Sequence, residues 1–162
     1  MKKATNAVPA GHHTLTPQLT LDDAAAAIDW YKKAFGAREN SRAVGGDGKI
    51  LHAELQIGDS PFMLNDTMGH GKGPKALGGS PASFWIYVDD CDTLFNRAVG
   101  AGAKITEYGK MTDQFWGDRS GTVTDPHGYS WTIATHKEDL TPDEMKQRQD
   151  EFMKKMAGGA QP

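Results

Sequence analysis

Two stretches of the chain carry the same order of apolar and polar positions. Thr14 to Leu21 alternates as a strand does, and from Asp23 onward Ala24, Ile28, Tyr31 and Phe35 recur at helical spacing. Asp22 or Asp23 supplies an N-cap there, and Gly36 supplies a stop. The second stretch repeats the pattern. Ser83 to Val88 alternates, Asp89-Asp90 offers a cap, and Cys91 to Ala101 is helical and ends at Gly102. A repeat of this length predicts two like units that share a core and leave a cleft between them.

The segments after each helix predict strands. In the first half, Gly45-Gly46-Asp47-Gly48 turns into His52–Ile57, and Gly58-Asp59-Ser60-Pro61 turns into 62–65. In the second, a strand starts over 104–107, a loop covers 110–119, and strands over 121–124 and 129–135 flank Asp125-Pro126-His127-Gly128. Each half therefore reads as βαβββ. The predicted organisation is a loose arm over 1–12, a first module over 13–66 and a Gly-rich linker over 67–82. A second module follows over 83–137, with a C-terminal helix and tail over 138–162. Thr141-Pro142-Asp143-Glu144 is a capping box that opens that helix, and Met145, Phe152 and Met156 lie toward one side of it.

Composition narrows the classes of function. With 162 residues, 38% hydrophobic content and four tryptophans, the chain has enough apolar material for a globular core. A formal charge of −3 argues against nucleic acid as the partner, because phosphate binding needs a concentrated basic face. Lys2-Lys3 precedes no apolar run, and no segment has the length or hydropathy of a membrane span. Cys91 is the only cysteine, so no internal disulfide forms and a cytoplasmic location is expected. At a helix start it reads as a small buried filler.

The repeat, the stretch from Ala27 to Ala37 (AIDWYKKAFGA) and Asp125-Pro126-His127-Gly128-Tyr129 resemble the vicinal oxygen chelate superfamily of glyoxalases, bleomycin-resistance proteins and dioxygenases. His52-Ala53-Glu54-Leu55, Gly117-Asp118-Arg119-Ser120-Gly121 and the run from Trp131 to Asp139 bring it nearest to the PhnB-like branch. The resemblance covers residues 13–148. It implies an α+β fold of two βαβββ modules whose cupped mixed sheets form a cavity, assembled as a homodimer. It does not imply one activity, because one fold hosts many.

Catalytic members of the superfamily hold a divalent metal with His, Gln or Glu on the first and last strands of each module. The resemblance places those positions on Thr16, Met63, Ser83 and Thr132. None offers the imidazole or carboxylate such an ion takes, so no cofactor is expected and a metal would need a non-standard site. A register shift of two would offer Gln18 and Asn65, two neutral amides.

Strand parity supplies the remaining candidates. Phe84, Ile86 and Val88 should face the helices, which turns Ser83, Trp85 and Tyr87 to the cup. By the same parity Thr14, Thr16 and Gln18 face it from the first strand, and Ser130, Thr132 and Ala134 from the last. His52, Glu54 and Gln56 share one strand face, either as a general base and its carboxylate or as a plain polar face. Gln114-Phe115-Trp116-Gly117-Asp118-Arg119 is richer. Trp116 can stack on a planar or cationic ligand, while Asp118 and Arg119 either orient that ligand or pair with each other. His12, His13 and His70 carry no assigned chemistry.

The ligand-binding candidates are thus Gln18, His52, Glu54, Trp85, Tyr87, Gln114, Trp116, Asp118 and Arg119. The reading they support is a metal-free small-molecule binder for planar or aromatic compounds. The alternative is a metal-dependent glyoxalase-like lyase or isomerase acting through His52 and Glu54.

Overall fold

A computed structural model of the chain describes residues 3–69 and 71–159, so His70 lies outside the described residues. Two compact units are present. One takes the chain up to Pro81 together with Asp125–Tyr129; the other takes Ala82–Thr124 and the chain from Ser130 onward.

In the first unit, β1 (Gln18–Leu21) leads to helix α1 (Ala24–Phe35) and then to β2 (Arg38–Val44), β3 (Ile50–Ile57) and β4 (Ser60–Asp66). The sheet order is β1-β4-β3-β2, with β1 parallel to β4 and the other pairs antiparallel. Leu19, Leu21, Ala53, Leu55 and Leu64 are buried on the face toward α1, which presents Ala24, Ala27, Ile28, Tyr31 and Ala34. Asp23 is the N-cap, its Oδ1 accepting from the Ala26 amide at 3.0 Å, and Gly36 closes the helix in the left-handed region at φ 68°. Buried Asp66 joins two elements: one oxygen takes the Ala24 amide at 2.9 Å, the other the Ile50 amide at 2.7 Å.

The first strand is shorter than its alternation predicts. Pro17 has no amide hydrogen to donate, and the Thr16 hydroxyl turns back to the His13 carbonyl, so Thr14 and Thr16 stand outside the ladder. The glycine-rich stretch over 67–82 has local structure of its own. It contains a single helical turn, α2 (Pro74–Leu77), opened by a proline that needs no amide partner and closed by Gly78 at φ 78°.

The segment Asp125–Tyr129 belongs to this first unit. Asp125 Oδ1 accepts the His127 and Tyr129 amides at 2.8 and 3.0 Å, and its Oδ2 accepts the Tyr31 hydroxyl at 2.8 Å. Burial, reinforced by Asp125, holds Tyr31 well above its usual pKa, so it donates throughout the physiological range. The Tyr129 hydroxyl sits against the backbone of Thr20, 3.0 Å from its carbonyl.

In the second unit, β5 (Ser83–Tyr87) and helix α3 (Cys91–Gly100) precede β6 (Lys104–Ile105), β7 (Thr112–Asp113), β8 (Asp118–Thr124) and β9 (Ser130–His136). The order is β5-β9-β8-β6, with β7 also paired to β8 and β5 parallel to β9. The strand expected at 104–107 stops after two residues and resumes as β7 inside the expected loop. Gly109 explains the break: a Cβ there would lie 2.1 Å from the Thr122 carbonyl oxygen, so only glycine lets the two backbones approach. Asp90 caps α3 through the Thr93 amide at 3.0 Å, and Cys91 is buried. Helix α4 (Pro142–Ala157) opens on the predicted capping box, with Thr141 and Glu144 bonded reciprocally. Met145, Arg148 and Phe152 are its half-buried residues; Phe152 lies 5.2 Å from the Phe115 ring. Among the described residues no helix is long and apolar enough to cross a membrane.

Candidate functional site

Helix α3 packs against strands β8 and β9 of the second sheet. Ile86, Val123, Trp131 and Ile133 are buried, while Trp85 and Tyr87 emerge on the other face with 47% and 59% of their surface exposed. The ladder sets what lies beside them: Trp85 pairs with Thr132 and Tyr87 with Ala134 on β9, which pair in turn with Thr122 and Ser120 on β8. Alternation puts all six on one face. The Thr122 and Thr132 hydroxyls bond to each other at 2.9 Å.

Asp118 organises this face. It is 4% exposed, and both its oxygens are engaged. Oδ2 accepts the Tyr87 hydroxyl at 2.9 Å and the Trp116 indole N–H at 3.0 Å, and Oδ1 meets His136 Nδ1 at 2.7 Å. Because the sheet order is β5-β9-β8, Tyr87 must reach across β9 to touch Asp118, which lays its ring along the sheet. Trp85 stacks beside it, with centroids 6.0 Å apart and 29° between planes. The result is a two-ring aromatic shelf fixed by one carboxylate.

The ionisation of these groups follows from the geometry. Burial works to raise the Asp118 carboxyl, but the hydrogen bonds from His136, Tyr87 and Trp116 outweigh it and hold it below the usual carboxylate range. Tyr87 is raised by burial and by its bond to Asp118, so it remains a donor. His136 is raised by its bonds to Asp118 and to Asp139, whose Oδ1 lies 3.0 Å from Nε2. A raised histidine contributes stability that is complete below its unfolded pKa of about 6.5 and is lost as pH rises through the folded value. The contribution of His136 should therefore fall as pH climbs above about 6.5, opposite in sign to that of His127, whose pKa burial lowers, and urea midpoints of His136→Gln should fall less with pH than those of the natural protein. An unchanged slope in the variant would assign the pH dependence elsewhere.

The remaining sequence candidates in this unit are placed as follows. Gln114 and Trp116 sit in the tight turn between β7 and β8, where the Gln114 amide donates to the Asp118 carbonyl at 2.7 Å. Trp116 is half-buried, edge-on to Phe115 at 5.0 Å. Arg119 does not pair with Asp118. Adjacent strand residues point to opposite faces, so Arg119 reaches α3 and grips Asp92 at 2.7 and 2.8 Å, with Asp113 at 3.1 Å. His136 has no assigned role in the sequence reading. The parity that turns Thr132 and Ala134 to the open face reaches it two residues later.

The first unit has its own polar face. Gln18 Nε2 donates to Asn65 Oδ1 at 2.7 Å. Arg38 donates to Gln56 at 2.7 Å and to Asn40 at 3.2 Å, and Asn40 donates to Glu54 Oε1 at 3.0 Å. The partner of Glu54 Oε2 is His12 from the N-terminal arm, at 3.0 Å. His52 faces Ala43 across the β2–β3 ladder. The Glu54 carboxylate is thus engaged by Asn40 and His12, and no bond joins it to His52.

The four positions that the resemblance sets for a metal do not fit one. Thr16 is bonded to the arm backbone and Thr132 to Thr122, Met63 is a thioether, and Ser83 is an exposed hydroxyl. Among the described residues no group of three or more His, Cys, Asp or Glu is placed to hold a metal ion.

Comparison with known proteins agrees with this architecture. An uncharacterised protein of Mycobacterium bovis is 42% identical over 148 residues, 88% of this chain and 93% of its own length. The crystal structure of TioX from Micromonospora sp. ML1 is similar with a TM-score of 0.60 and 29% identity, covering 80% of this chain and all of TioX. A structure from Bacillus cereus described as a putative 3-demethylubiquinone-9 3-methyltransferase, PhnB protein, shares the fold. Its TM-score is 0.60 at 18% identity, over 76% of this chain and 99% of its own. The sequence profile of one family matches residues 11–133, and on that match, with paired βαβββ units behind it, the chain belongs to the Glyoxalase/Bleomycin resistance protein/Dioxygenase superfamily.

Proposed function

We propose that this protein binds a small planar, aromatic molecule on the open face of its second sheet, without the divalent metal of its catalytic relatives. The observation that carries the reading is the exposed Trp85–Tyr87 pair, in which a buried carboxylate holds the Tyr87 hydroxyl. Large exposed rings lose hydration cheaply only when another flat surface covers them, and two neighbouring rings on a sheet offer such a surface. Trp116 shares the Asp118 carboxylate with Tyr87 through its indole N–H. Truncating Trp85 to alanine should weaken binding of an aromatic ligand by about 1–3 kcal/mol and leave the urea midpoint nearly unchanged. Calorimetry against a panel of aromatic compounds, bleomycin-type antibiotics included, measures it. A panel in which every ligand binds Trp85→Ala as well as the natural protein would remove the shelf from the site.

The working form in this reading is a homodimer. Strand β2 is a free edge of the first sheet, and α4 leaves Met153 and Met156 exposed, features that association covers. Native mass spectrometry should return twice the chain mass, with no zinc, nickel or iron at one per chain. A monomer, or a stoichiometric metal lost on changing His52 or Glu54, would favour the lyase or isomerase reading instead.

A further inference from the structure

Helix α4 meets its own unit along one narrow stripe. Met145, Arg148 and Phe152 are half-buried there, Phe152 against the Phe115 ring and Arg148 bonded to Glu138, and no residue of the helix is fully buried. A second stripe lies beside the first. Pro142, Met145, Gln149, Met153 and Met156 fall within about 80° of the helix circumference. Their spacing of 3, 4, 4 and 3 residues is symmetric about Gln149. Met153 and Met156 leave 59% and 43% of their surface exposed.

The charges reverse sign about the same residue. Counting outward from Gln149, Arg148 answers Asp150, Glu144 answers Lys154 and Asp143 answers Lys155, and no two equidistant residues carry the same sign. Acid in the first turn and base in the last suit the dipole of any helix. The inner order does not: Lys146 precedes Asp150, the less favourable direction for a pair within one helix. A stripe symmetric in shape and opposite in charge about its midpoint is complementary to a second copy of itself running the other way.

We propose that two copies of the chain associate through α4, antiparallel about a two-fold axis at Gln149. This rests on the homodimer reading above and assigns it a face, the helix and not the edge of β2. In that register Met145 meets the partner's Met153, and Gln149 meets the partner's Gln149. On the flanks Lys146 falls beside the partner's Asp150, and Glu144 beside the partner's Lys155. The one approach of like charges, Arg148 to the partner's Arg148, is neutralised by Glu138. A helix of 16 residues gives a seam about 24 Å long, small for an interface, so the dimer should be of roughly micromolar strength.

Sedimentation equilibrium on the full chain tests the face. Met153→Lys, at an exposed position, should weaken association about tenfold or more relative to the natural protein. Lys146→Asp and Asp150→Lys should each weaken it severalfold, and an equimolar mixture of the two should associate again, because each then meets its opposite charge. Under copper-phenanthroline oxidation Gln149→Cys should give a covalent dimer and Gln147→Cys, on the outer face of the helix, should not; the natural Cys91 is buried. Cross-linking of Gln147→Cys in place of Gln149→Cys would overturn the two-fold at Gln149. If Met153→Lys and the charge variants sediment as the natural protein does, helix pairing is overturned while a dimer through another face stands. A natural protein that stays monomeric well above micromolar concentration would remove the homodimer reading and the helix pairing together.

Discussion

Replacing Gly117 by alanine should cost the fold about 3–5 kcal/mol, the range of exceptional single substitutions. Two effects add. The residue has φ +96°, a region that L side chains rarely adopt, and a Cβ would lie 2.4 Å from the Glu138 carbonyl oxygen. That oxygen belongs to backbone and has little room to retreat. The Gly117 carbonyl itself accepts the Lys137 and Glu138 amides at 2.9 and 3.0 Å, so moving the turn breaks those bonds too. Urea denaturation reads the loss. A cost under about 1 kcal/mol would mean that the turn and residues 137–138 part easily, and that Trp116 is less firmly placed than the hydrogen bonds suggest.

Asp118→Ala should cost about 2–3 kcal/mol and disorganise the shelf. Three donors lose a charged acceptor; each such bond is worth more than a neutral one, but Tyr87 and His136 are open enough for water to recover part of the loss. Asp118→Asn keeps the shape and one acceptor, so it should fall between the two. Because the carboxyl is held below its usual range, natural protein should lose this contribution only as pH drops below about 4, and neither variant should show that acid step. An aromatic ligand that binds Asp118→Ala at full strength would show that the rings need no such anchor.

Much of the geometry of this candidate site is legible in the sequence, and the part that is not has a physical reason. The alternation around Ile86 turns Trp85 and Tyr87 to the open face, because parity is a local property of one strand. The same rule separates Asp118 from Arg119, although their adjacency and opposite charge invite a pair. What a local pattern cannot supply is the partner across the sheet. Tyr87 and Asp118 are 31 residues apart and meet only because β9 lies between β5 and β8. His12 and Glu54 are also remote in sequence, and the arm carrying His12 has no periodicity that would place it. Equally, nothing in the pattern marks Gly109 as the point where a strand divides, since close backbone approach leaves no hydrophobic signature.

The turn Asp125–Tyr129 decides how the chain could be divided. A doubled sequence suggests that each copy once stood alone, and an experimenter might try to recover the halves by cutting after Pro81. The fragment so made would contain Tyr31 but not Asp125, and Thr20 but not Tyr129. The Tyr31 hydroxyl would lose the carboxylate that accepts it, and the Thr20 backbone would lose the Tyr129 hydroxyl. A piece of the later half of the chain completes the earlier unit. The first unit is therefore not a continuous stretch that a single cut releases, and making it alone would require supplying those five residues as well.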